Sequence, residues 1–156
     1  MTFDEYQQRA AEFAVYPKDR EREYLSLGLI SEVGELAGKV KKEIRDGVDL
    51  TEGILAECGD CAWYASQICR RYEISESVPL DIRHMIHMDD DADVLLDLAH
   101  YATTPQYEEN IHEVLCCLEW ICAGRNTTLE AVCEANIAKL QSRQERGKLG
   151  GSGDNR

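Results

Sequence analysis

Proline stands at only three positions, 17, 79 and 105, and between them apolar residues recur every three to four places. Proline ends a helix by removing a donor and clashing with the preceding turn, so its rarity leaves long windows in which helices can propagate. Alternating clusters of valine, isoleucine and threonine, the mark of strands, are missing. The pattern predicts a first helix opened by a capping box of Thr2 and Glu5 and ending near Tyr16-Pro17. A second helix runs from about Asp19 to Asp46, with Gly47 as its C-terminal stop. A third follows Thr51 to about Tyr72, and residues 73–105 read as two short helices broken near Asp89–Asp91. Tyr107 to Ala123 is another, stopped by Gly124, and a capping box of Thr127 with Glu130 opens a last helix to about Arg146. The fold class is all-α, a helical bundle built on an antiparallel hairpin, with one domain over 1–146 and a Gly-rich tail over 147–156.

Charge narrows the function classes. Seventeen basic and 30 acidic residues give −13, the wrong sign for wrapping nucleic acid. No apolar run reaches the roughly 20 residues of a membrane span, and the polar start MTFDEYQQRAAEF does not read as an export signal. With seven cysteines and no such signal, reduced thiols in the cytoplasm are expected. An acidic protein can still take a small phosphate ester if cations bridge the two.

The acids are not scattered. Glu32 and Glu35 are three apart on one face of the second helix, and Glu57 and Asp60 repeat the spacing on the third. The midpoint of Glu35 and Glu57 is position 46, beside the stop at Gly47, so an antiparallel fold there brings the pairs level. Leu25, Leu29, Val33, Leu36, Val40 and Ile44 form the apolar stripe of one helix; Ile54, Cys58, Cys61, Ala65 and Ile68 form that of the other. Four carboxylates at such a seam repel unless hard divalent cations compensate them; the alternative is two solvated acidic faces. Lys39 and Lys42 continue the face of Glu32 and Glu35, either as phosphate ligands or as intrahelical partners of Glu35. Tyr64 shares the face of Glu57 and Asp60, for stacking, hydrogen bonding or buried packing. Asn136, Lys139 and Arg143 share a face of the last helix, suited to phosphate and base or sugar contacts, or simply to the helix dipole. Residues 125–156 hold six basic and four acidic residues, net +2, leaving −15 for 1–124.

SEVGELAGKVKKEIRDG followed by ILAECGDCAWYASQI resembles the MazG-like nucleoside triphosphate pyrophosphohydrolases of the all-α NTP pyrophosphatase superfamily, whose motif is ExxE, a spacer, then ExxD. The ending NIAKLQSRQERGKLGGSGDNR and the opening DEYQQRAAEFAVYP resemble phage-type members. The resemblance covers about residues 3–73 and 128–156, and the stretch at about 74–127 departs from the compact pattern as a helical insertion. It implies hydrolysis of a (deoxy)nucleoside triphosphate to monophosphate and pyrophosphate by metal-activated water at the α-phosphate, with guanine triphosphates (dGTP, GTP) the first substrates to expect. By the same resemblance Glu32, Glu35, Glu57 and Asp60 hold magnesium, with manganese able to stand in, and Glu32 and Glu35 are catalytic. Asn136, Lys139 and Arg143 match its substrate-contact block. The family often carries a further Glu, a candidate general base, before its first motif glutamate; here that place is Ser31. A homodimer or homotetramer is expected, because pairing two hairpins buries apolar faces. The other readings are a related dUTPase-type enzyme and a catalytically silent helical module binding nucleotide or protein.

Other signals are read as structural. Cys58 and Cys61 project onto the apolar stripe and serve as small buried hydrophobes. His84-x-x-His87 before Asp89–Asp91 reads as an exposed polar helix end, and Trp63 and Trp120 as core or subunit-contact aromatics.

Overall fold

The computed structural model describes residues 1–75, 80–104 and 107–149, with only the backbone described over 107–109. Pro79, Pro105 and tail residues 150–156 lie outside the described residues. The described chain is all-helical: α1 (Phe3–Ala10), α2 (Glu21–Asp46), α3 (Thr51–Arg71), α4 (Asp91–Thr103), α5 (Tyr107–Ala123) and α6 (Leu129–Glu145), with 3-10 turns at Ala11–Phe13, Lys18–Arg20 and Ile82–Met85. None of the described helices is long and apolar enough to cross a membrane.

The local signals explain most boundaries. The Thr2–Glu5 capping box forms in both directions, but α1 stops at Ala10 and tightens into a 3-10 turn, well before Pro17. Gly47 adopts φ 63° and donates its N–H to the Glu43 carbonyl at 2.9 Å, ending α2. The Glu43 carboxylate then accepts the Leu50 N–H at 2.7 Å, closing the turn into α3. Asp90 caps α4 by accepting from the amides of Ala92 and Asp93, so the acidic run opens a helix rather than separating two. Among the described residues before it, a 3-10 turn, Ile82–Met85, stands where a helix was expected. The last helix is capped by Thr128, whose hydroxyl accepts from Ala131 N, one position after the expected Thr127. Either threonine has the chemistry; Thr127 instead donates its N–H to the Cys122 carbonyl and closes the preceding turn.

α3 is the central helix, packed by α1, α2, α5 and α6. Cys58, Gly59, Cys61, Ala62, Ala65, Ser66 and Cys69 are all buried on it, and their small size lets neighbours approach from several sides. Every apolar position expected on α3 is buried. On α2 the stripe holds from Leu25 to Val40, but Ile44 is 70% exposed, because the core ends a turn before the helix does. α4 packs on α2 and α5, and α5 packs on α3, so described residues of 74–127 share the core of the hairpin. Arg125 fastens this side: its guanidinium meets Asp91 of α4 at 2.5 Å, Glu43 of α2 at 3.2 Å and the Ile121 carbonyl of α5 at 3.3 Å. All seven cysteines are buried and none forms a disulfide among the described residues.

Candidate active site

The α2–α3 hairpin brings the two acidic pairs together. One oxygen each of Glu32, Glu35 and Glu57 lies within 4.8 Å of the others. Glu57 is 9% exposed, Glu32 half-buried and Glu35 exposed, so the cluster opens outward from a buried floor. Burial, followed by the charges of Asp60, Glu35 and Glu57, pushes the Glu32 carboxyl up to about 7. Burial also raises Glu57, against the opposing Lys39 ammonium. Lys39 meets Glu57 at 3.1 Å across the hairpin, rather than pairing along its own helix.

α6 completes the site from the far end of the chain. Lys139 donates to both oxygens of Asp60, at 2.5 and 2.6 Å. Asn136, 4% exposed, donates to Asp60 at 2.9 Å and accepts the Tyr6 hydroxyl at 2.9 Å. Its amide therefore holds the Asp60 carboxylate in place. Tyr6 was not singled out by the sequence, since no local pattern marks a partner 130 positions away.

A cleft of about 420 Å³ joins these groups. Glu32, Glu35, Glu57 and Asp60 line it, with Lys39, Lys139 and Arg143 as cations. Its other wall is aromatic: Tyr16, Tyr24, Trp63 and Tyr64. The Tyr16 and Tyr24 rings stack with centroids 5.2 Å apart, and Trp63 stands edge-on to Tyr64 at 5.0 Å. Trp63 thus sits at the cleft as well as against the core, its indole donating to the Ala10 carbonyl at 3.2 Å. Lys42 is exposed and is not among the lining residues; its charge acts on Asp46 instead. Ser31 is likewise exposed and outside the lining.

Tyr64 owes its place to Gly28. A Cβ built on Gly28 would lie 2.0 Å from Tyr64 Cε1, closer than any real contact. Gly28→Ala should lower stability by about 1–3 kcal/mol, the usual range for overpacking, although alanine is worth about 1 kcal/mol more than glycine within a helix. Urea denaturation measures the sign, and a stabilised variant would contradict this contact.

The chain is similar to the Gene 37 protein of Mycobacterium phage L5. The two are 29% identical over 167 aligned positions, covering 100% of each. No family model matches the chain, and no solved structure matches it.

The acid cluster makes its own prediction for the cation-free protein. A carboxyl raised in the folded state binds its proton more tightly there than in the unfolded chain. Stability should therefore fall as pH rises from about 4.5 to about 7, and level off above. Glu32→Gln removes that penalty and should stabilise the chelated protein by about 1–2 kcal/mol at pH 8, after allowance for solvent screening. At pH 4 the gain should vanish. Thermal melts at the two pH values read it directly, and an equal gain at both would contradict the crowding of Glu32.

Proposed function

We propose that the chain is a magnesium-dependent nucleoside triphosphate pyrophosphohydrolase of the MazG-like type, cleaving between the α and β phosphates to give monophosphate and pyrophosphate. The observation that carries the reading is the meeting of four carboxylates, three cations and an aromatic wall in one cleft. A carboxyl raised by burial and then by three acidic neighbours sits in an excess of negative charge, which suits divalent cations. Glu32, Glu35, Glu57 and Asp60 would hold them as hard oxygen donors. Magnesium supplies charge neutralisation of the triphosphate and lowers the pKa of the attacking water.

The side chains divide the remaining work. Lys39 and Lys139 now neutralise Glu57 and Asp60. With Glu57 and Asp60 holding cations, the two ammoniums would be free to meet phosphate oxygens, where Arg143 would add a bidentate fork. Tyr24 and Tyr64 offer aromatic surface to a base, with a guanine triphosphate (dGTP or GTP) as the substrate proposed. Attack of water at the α-phosphorus breaks the bond to the bridging oxygen and expels pyrophosphate. With Ser31 in place of the family's extra glutamate, the water's proton goes to Glu32 or Glu35. Two or four copies assemble in this reading, in a cytoplasm (that of the host, if phage-encoded); Tyr24, Leu27 and Ile30 leave an exposed apolar edge on α2 for it, Leu27 being 67% exposed.

Pyrophosphate release from the eight common NTPs and dNTPs, with magnesium and with EDTA, tests the reaction. Turnover that needs magnesium, and that manganese supports in its place, is the expected result. The second reading, a silent nucleotide-binding module, draws on the same internal ion pairs, which already satisfy two of the four acids. Binding of nucleotide without release of pyrophosphate from any of the eight would select it.

A further inference from the structure

We propose that a second metal site, for zinc, lies between the 3-10 turn Ile82–Met85 and α5, formed by His84, His112, Glu113 and Cys116. One ligand atom each of His84, Glu113 and Cys116 lies within 4.8 Å of the others. His84 Nε2 stands 3.1 Å from Glu113 Oε2, and His112 Nε2 stands 3.5 Å from Cys116 Sγ. Tetrahedral zinc, with bonds of about 2.0–2.1 Å to nitrogen or oxygen and about 2.3 Å to sulfur, sets its ligand atoms about 3.4–3.6 Å apart. The His84–Glu113 and His112–Cys116 separations are thus near those of bound ligands, and His112, which lies outside the 4.8 Å cluster of the other three, reaches the ion by a rotation of its side chain.

Local structure prepares these donors. Asp81 caps the 3-10 turn by accepting the Arg83 N–H at 3.1 Å, and Arg83 grips the same carboxylate at 2.7 and 2.8 Å. The turn held this way aims the Asp81 carbonyl at His84 Nδ1, 2.8 Å away. A carbonyl can only accept, so Nδ1 carries the proton and Nε2 is the atom left to face Glu113. A ring fixed from behind by a carbonyl is the arrangement that orients metal-binding histidines. On α5, His112 and Cys116 are four apart and Glu113 and Cys116 three apart, which puts the three donors on adjoining strips of one helix face.

The donor set selects the ion. A thiolate with imidazoles favours zinc, whereas magnesium prefers the all-oxygen set of the hairpin. Four protein donors make a closed, structural site rather than one with a place for substrate. Cys116 is fully buried and forms its floor, while the His84 side chain is 48% exposed and forms its rim. Zinc here ties the turn that leads into α4 onto α5.

The test uses the full chain, reduced and chelator-treated, titrated with cobalt(II) as a spectroscopic stand-in and then with zinc. The expected result is one cobalt per chain with a thiolate-to-metal charge-transfer band, displaced by one zinc, and a zinc-dependent rise in Tm. His84→Ala, at an exposed position that folding tolerates, and Cys116→Ser should each weaken zinc at least about tenfold and remove the rise in Tm. His87→Ala, on the same segment but outside the cluster, should bind as the parent does. Glu32→Gln and Glu35→Gln should keep the band whatever becomes of pyrophosphate release, which separates this site from the hairpin. Cobalt bound without the band, or zinc affinity unchanged in His84→Ala, would overturn the proposal.

Discussion

Glu35→Gln is expected to lower magnesium-dependent pyrophosphate release by about 10³-fold, on the order of 4 kcal/mol of transition-state stabilisation. The helical circular dichroism should not change. Glu35 is the cleanest of the four acids to test because it is exposed on α2 and reaches the cluster from its open side. Asp60 is a less selective choice, since Lys139 and Asn136 both hold it and its loss would also loosen α6. Glutamine keeps the shape and one acceptor oxygen of glutamate while removing the charge a cation needs. Isothermal titration of magnesium alone should show the affinity falling in parallel with the rate. A variant that still turns over within tenfold of the parent would remove Glu35 from the metal site.

Arg125→Ala is expected to cost about 3 kcal/mol of stability, as removing one partner of a buried ion pair does. For a chain of this length that is a drop in Tm of about 6–12 °C. The reason is geometric. The Arg125 side chain is 10% exposed and compensates Glu43 on α2 and Asp91 on α4 together. Without it, two carboxylates with limited access to water face one another, and the turn that Glu43 closes is strained by the same repulsion. Adding Glu43→Gln and Asp91→Asn to Arg125→Ala should restore part of the loss, since the uncompensated charges then disappear. Urea melts of the three proteins measure this, and no recovery in the triple variant would mean that lost packing, not charge, dominated.

The hairpin was legible in the sequence because its information is local. A spacing of three within a helix, and a glycine stop halfway between the pairs, suffice to bring Glu32, Glu35 and Glu57 together. What was not legible depends on contacts far along the chain. Asn136 carries the same donors whatever it meets, and only the crossing of α6 over α3 brings it to Asp60. The aromatic wall depends on the turns between α1 and α2, where helical periodicity is interrupted and Tyr16 has no face to be assigned to. Thr127 and Thr128 are chemically equivalent caps, separated only by which backbone turn precedes α6. His84 pointed forward to His87 and the acidic run in the sequence, yet the other donors of its proposed site lie 28 to 32 positions on, on a helix that packs against its turn.

The seven buried thiols give the molecule a built-in clock. Three sit on α3, three on α5 and one on α6, each 2% exposed or less. A thiol reagent in water can reach them only during the moments when their helix opens, so the rate at which each is labelled reads the opening frequency of that helix. Cys58 and Cys61 flank Glu57 and Asp60 on the central helix. A cation bound by those carboxylates would therefore be timed by the slowing of two neighbouring sulfurs, without any substrate being turned over.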